Sequence, residues 1–443
     1  MPPGQVIEGA APLVTEVSFH LRLERRLRIC LFVALCTLLM FGPLALGIVQ
    51  DWSITLFETG AAAVLLLWMA WQLTTREVSV RWNPLFAPML VFFGLVLVQI
   101  ACHHSPYLYD SLSELWLYIA YGILVFVAVQ LLRADGILRF GKTMALFGSV
   151  YAVFAVFQGF TSGGRIYWLI KPRAGSVYGS YVNHNHYAGL MELLLPIVLV
   201  LAFSGSVSAG KRLLLVFAAT LMAASVFLCQ SRGGMFAVIV ETVFLAVFWM
   251  RQFSPRKSAA AFVAFCLATA LFLSWIAPQQ VGSRITNIHD PARWLIHRDS
   301  IRMFAAHPFL GSGFGSFATA FPRYRVFYDG FFINHAHDDY LELLLETGLA
   351  GFGVAMWFIV VLYREGFRNL RPAKIFPAAL ISTAALAGCT GLLAHSFMDF
   401  NLHIPANAAL FYVLCTIATA PPVSRNRSNS NSYQEKTVVP PAI

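Results

Sequence analysis

The sequence predicts an all-α polytopic membrane protein with about twelve transmembrane helices and one large loop domain outside the cytoplasm. Three observations carry that prediction. Hydrophobic residues make up 58% of the 443-residue chain and charged residues 12%, about half the charge fraction of a soluble domain. Apolar stretches of roughly 20 residues, the length that crosses a bilayer core, recur along the chain. One long polar segment, 278–340, interrupts them, and loops of that length are uncommon unless functional or disordered. Its aromatic content argues against disorder.

Taken in order, residues 1–28 form an expected cytoplasmic segment. Arg22, Arg25, Arg26 and Arg28 precede an apolar run too long for the core of a signal peptide. Residues 13–27 read as a mildly amphipathic interfacial helix. Nine spans are expected within 29–277, at 29–49, 54–73, 85–101, 113–132, 140–160, 187–203, 212–229, 234–250 and 259–277. After the polar loop, three more fall within 341–421, at 341–362, 375–398 and 405–421. The Ser- and Asn-rich tail, 422–443, reads as disordered and cytoplasmic. Six of the seven cysteines lie inside apolar runs and none has zinc spacing, so they read as small hydrophobes without a disulfide framework.

Orientation follows from the cations of the connections. Of the 31 Lys and Arg residues, 21 fall on alternate connections and the tail, which places both termini in the cytoplasm. The ten on the opposite side are Arg165, Lys171, Arg173, Arg232, Arg284, Arg293, Arg298, Arg302, Arg323 and Arg325. Nine of these ten are arginine. Topology alone has no need of arginine over lysine, whereas a phosphate site does, because the planar guanidinium grips oxyanions bidentately and stays charged. The net charge of +10 is thus mostly topological and is no nucleic-acid footprint.

Five constellations could carry chemistry. Asn334-His335-Ala336-His337-Asp338-Asp339 places two histidines and two acids before a helix. The acids suit a helix N-terminus, and His337 has the intrinsic proton affinity of a general base or an acceptor-hydroxyl anchor. His-x-His also recurs in metal sites, but no further ligand cluster is evident in the sequence, so no metal is expected. Arg232 follows Ser231 between two apolar runs, where an arginine is costly unless paired or functional; snorkelling to the headgroups is the alternative. Arg293 and Trp294 stand near Arg298 and Arg302, with 294, 298 and 302 near one helical face and 293 beside it. The glycines of His307-Pro308-Phe309-Leu310-Gly311-Ser312-Gly313-Phe314-Gly315 could cradle an anion. Asn183 to His186, preceded by Arg173 and followed by Glu192, either form an interfacial belt or line the same cleft. The turn Asp399–Asn407 reads as structural, packed under the long loop.

In these residues the chain resembles the superfamily of O-antigen ligases and O-antigen polymerases, bacterial inner-membrane glycosyltransferases. The likeness covers roughly 180–415. It rests on Ser231-Arg232, on Arg293-Trp294, on His307-Pro308-Phe309-Leu310-Gly311-Ser312-Gly313, and on His337-Asp338 followed nine residues later by Gly348-Leu349-Ala350-Gly351. Asp338 departs from the pattern, where Asn, Ser or Gln is commoner. The resemblance implies a fold related to the C-type glycosyltransferases and an active site on the periplasmic face. It implies a donor glycan on undecaprenyl diphosphate within membrane lipid, and an acceptor that is lipid A–core, a growing polysaccharide or a protein. The expected reaction is an inverting, metal-independent transfer without cofactor. His337, Arg232 and Arg293 would be catalytic; Arg298, Arg302, His335, Asp338, Asn183, His186 and Arg173 would bind substrate. The rival expectation is a membrane transporter for a small anion such as bicarbonate.

Overall fold

A computed structural model describes residues 10–75, 78–172, 175–204, 207–252, 255–276, 291–328, 330–370 and 377–421. Helix α1 spans Ala10–Leu44, so the expected interfacial helix and first span are one continuous helix. It is followed by α2 (Asp51–Leu73), α3 (Phe86–Ala101), α4 (Leu108–Leu131), α5 (Ala134–Thr161), α6 (His184–Phe203), α7 (Ala209–Leu228), α8 (Arg232–Gln252) and α9 (Pro255–Ile276). Helices α10 (Pro291–Ala306) and α11 (Phe317–Ala320) lie in the polar loop; α12 (Asp339–Asn369), α13 (Pro377–His395) and α14 (Pro405–Ala418) complete the bundle.

Among the described residues, nine helices are long and apolar enough to cross a membrane. The expected spans at 85–101, 259–277 and 405–421 coincide instead with three shorter apolar helices, Phe86–Ala101, Phe262–Trp275 and Pro405–Ala418.

Composition decides which helices sit at the centre. Helix α6 is apolar on almost every side but for Glu192, and every residue from His186 to Ala202 is buried, as expected of a helix surrounded by others. Helix α13, rich in Ala, Gly, Ser and Thr, packs against it. Small residues let two backbones approach closely where lipid offers no hydrophobic driving force. A Cβ on Gly388 would stand 3.0 Å from the carbonyl oxygens of Glu192 and Leu193, so only glycine leaves that approach unstrained.

The polar loop folds into a small lobe with its own core of Ile296, Met303, Phe317, Phe321 and Ile333, completed by Leu345 from α12. Helix α12 is broken at Gly348, whose φ of 62° and ψ of −167° form a backbone region nearly restricted to glycine. The amides of Leu349 and Ala350, released from the helical ladder by the break, bond the carbonyls of Pro308 (2.9 Å) and Phe309 (3.1 Å). The His-Pro segment and the Gly-x-x-Gly signature therefore dock on each other. The amides of the glycine-rich turn are correspondingly committed to protein acceptors: Gly311 to the His307 carbonyl, Ser312 to that of Leu345, Gly313 to that of Glu346 and Gly315 to the Glu346 carboxylate. That turn is a buttress for α12 and not an anion cradle.

Candidate functional site

At the end of the bundle that carries the lobe, three segments converge on Asp399, in the turn between α13 and α14. Its carboxylate is fully buried. Asn185 donates to Oδ2 from the first turn of α6. His337 brings Nδ1 to 3.6 Å from Oδ1. His186 brings Nε2 to 4.0 Å from the same oxygen. From α10, Arg293 places a terminal nitrogen 3.8 Å from Oδ2 and donates to the Met398 carbonyl. The turn thus packs under the long loop as expected, but with a charged centre. Burial by itself raises the Asp399 carboxyl; the contact from His337 and the imidazoles of His186 and His395 outweigh it and hold the group well below the usual carboxylate range.

The next residue, Phe400, organises the imidazoles. His335 stacks on its ring at 4.0 Å and 19°, while His186 and His337 meet it edge-on at 4.8 Å and 5.0 Å. His337 has a φ of 57°, a left-handed backbone that a non-glycine residue adopts at a cost. Its side chain is one-third exposed, so it meets Asp399 and Phe400 while part of the ring stays open.

Residues 217–358 match the family model of the O-antigen ligase.

The matched stretch runs from within α7 into α12 and carries Arg232, Arg293 and His337. Asp399, His186 and Asn185 lie outside it and are joined to it only by the fold. No curated protein matches the chain.

The other expected residues of the site divide. Arg232 opens α8, where Ser231 Oγ accepts from the Gly234 amide (3.1 Å) as a helix cap. Gly233 packs directly on the His395 ring, since a Cβ there would lie 2.2 Å from His395 Cδ2. His395 is in turn fixed by Glu192, 2.8 Å from its Nδ1 and equally buried. The Arg232 side chain is exposed. Asn183 is the N-cap of α6, accepting from the Asn185 amide, and its amide nitrogen lies 3.4 Å from His186 Nε2. Asp338 is the N-cap of α12, accepting from the amides of Tyr340 and Leu341. Burial raises its carboxyl, with those two amides pulling the other way.

Arg298 and Arg302 do not join Asp399. They flank Asp299, at 3.0 Å and 4.0 Å, and Arg298 lies over the Trp294 ring. Positions five and nine residues after Arg293 are turned well away from it on a helix of 3.6 residues per turn, so α10 shows Arg293 to the bundle and the other two outward. Burial raises the Asp299 carboxyl, but the Val326 amide and Arg298 overcome this and hold it low. Arg173 and Arg284 lie outside the described residues.

A second cluster sits beside the first. His335 Nδ1 is 2.8 Å from Glu342 Oε1, and His403 bridges Asp339 (2.7 Å) and Glu342 (3.5 Å). Asp339 and His403 also line a cavity of about 130 Å³ whose walls include Phe92, Tyr118, Phe358 and Tyr412. Asp399, Phe400 and His403 fall in the turn expected to be only structural, and Glu342 carried no expectation. The available signal was Asp399-Phe400-Asn401-Leu402-His403, an acid and a histidine in a short turn between apolar helices, since ionisable groups at membrane depth tend to be functional.

Proposed function

We propose that the protein is a periplasmic-face glycosyltransferase of the bacterial inner membrane, moving a glycan from undecaprenyl diphosphate to an acceptor sugar hydroxyl. The convergence of His337 and Arg293 on Asp399 carries this reading. In it, the acceptor oxygen attacks the anomeric carbon, the bond to the diphosphate oxygen breaks, and the configuration inverts. The hydroxyl proton passes to His337, whose other nitrogen is held towards Asp399. A base oriented by a third group is the general arrangement for activating a hydroxyl, and such contacts are often long before substrate binds.

Arg293 and Arg232 meet the charge that develops on the departing diphosphate, so guanidinium groups serve there in place of a metal. Preorganised donors of this kind contribute about 3–4 kcal/mol each. Asn183 and His186 shape the acceptor side, and the cavity beside Asp339 receives part of the isoprenoid chain. The small-anion carrier gains no supporting observation.

The test is transfer by the purified full-length protein supplied with lipid-linked donor and acceptor. His337→Ala and Arg232→Ala are expected to abolish it with expression and folding intact; wild-type rates in either remove that residue from the mechanism. A deletion strain separates the acceptors. Loss of capped lipopolysaccharide with polymer still on the carrier lipid means a ligase, and single repeats alone mean a polymerase.

A further inference from the structure

We propose that His335, Glu342 and His403 form a three-ligand site for a divalent transition-metal ion of the zinc class. The sequence offers His-x-His without further ligands; the fold supplies two. His335 comes from the loop before α12, Glu342 from the first turn of α12, and His403 from the 3₁₀ turn Asn401–His403. Their ligand atoms all lie within 4.8 Å of one another. Glu342 Oε1 is 2.8 Å from His335 Nδ1 and 3.5 Å from His403 Nε2. A tetrahedral zinc ion with bonds of about 2.0–2.2 Å needs its ligands about 3.3 Å apart, so shifts of about an ångström bring all three onto one centre. Two imidazoles and one carboxylate with a fourth position open is a known zinc donor set.

The surroundings are built as metal ligands require. His403 Nδ1 is 2.7 Å from Asp339 Oδ1, the carboxylate–histidine pairing that fixes a tautomer and leaves the other nitrogen to bind metal. Asp339 is held in turn by Ser396 Oγ (2.7 Å) and the Leu402 amide (3.1 Å). Glu342 Oε2 accepts from the Ala336 amide at 2.7 Å, which reserves Oε1 for the centre. The Phe400 ring fixes the plane of His335. Glu342 and Asp339 together balance a charge of +2. The side chains of His335 and His403 are 28% and 17% exposed, enough for an ion to enter. The ion would tie the lobe, α12 and the 401–403 turn together behind Phe400. It has no part in the transfer step, and the inference does not rest on the transferase reading.

The experiment uses full-length protein in detergent, its purification tag removed and its metals stripped by chelator, titrated with Zn²⁺ and separately with Co²⁺. One zinc per chain by elemental analysis and a visible Co²⁺ absorption band are expected. Both should vanish in the His335→Ala/His403→Ala double variant. Asp339→Asn should keep the stoichiometry and weaken affinity by about 10–100-fold. His337→Ala should bind as wild type does, whatever its transferase activity. Absence of stoichiometric zinc and of the cobalt band in wild type overturns the proposal, as does undiminished binding by the double variant. Should that variant not fold, the wild-type cobalt spectrum decides, because its absence alone refutes the site.

Discussion

Asp399 Oδ1 stands 3.6 Å from His337 Nδ1, and the two residues come from opposite ends of the α12–α13 hairpin. This pairing gives a half-buried loop histidine a fixed, buried anionic partner. Asp399→Asn keeps the shape and removes the charge. It is expected to lower transfer by about 10²–10⁴-fold, the usual size of an acid–base contribution, with little change in donor KM. Steady-state kinetics on the purified variant check this.

The same carboxylate has a pH signature. Its folded value is depressed, so its contribution to stability is complete above the ordinary aspartate value of about 3.9 and is lost as pH falls through the lower folded value. The difference in Tm between wild type and Asp399→Asn should therefore stay level from neutral pH to about 5 and narrow only below about 4. A difference already shrinking between pH 7 and 5 would show that the carboxylate is not held low.

The arginines of α10 should separate by face. Arg293→Ala removes a guanidinium aimed at the site and should cost about 10²–10³-fold in kcat. Arg298→Ala and Arg302→Ala remove exposed partners of Asp299, pairs worth about 0–1 kcal/mol, and should leave most of the activity. Parallel rate measurements on the three variants decide it; equal losses would mean that α10 rotates on substrate binding.

Gly348→Ala forces a Cβ to 2.4 Å from the Phe309 carbonyl at a backbone angle that alanine disfavours. A loss of about 1–3 kcal/mol is expected from the backbone alone, read as a lower Tm in detergent. Because α12 follows directly on His337, activity should fall with it.

Much of the architecture was legible because the bilayer imposes a rule on composition. Apolar runs of sufficient length and a long loop with its own aromatics needed no tertiary information. Arg232 stood out for a related reason, as a costly polar residue between apolar runs. Arg298 and Arg302 were misgrouped with Arg293 because charge type is visible in sequence but helix rotation against a neighbour is not. Asp399 was read as a turn residue because its partners, Asn185, His186, Arg293 and His337, lie far from it in the chain.

What the sequence determined was the membrane class, the order of the apolar helices and the residue types available at one end of the bundle. Those follow from transfer free energies, which depend on each segment alone. Which carboxylate faces which imidazole was decided only by packing, since α6, α10, the 334–339 loop and the 399–403 turn meet through contacts between segments far apart in the chain. The site exists where their ends are held together, and no one of them specifies it.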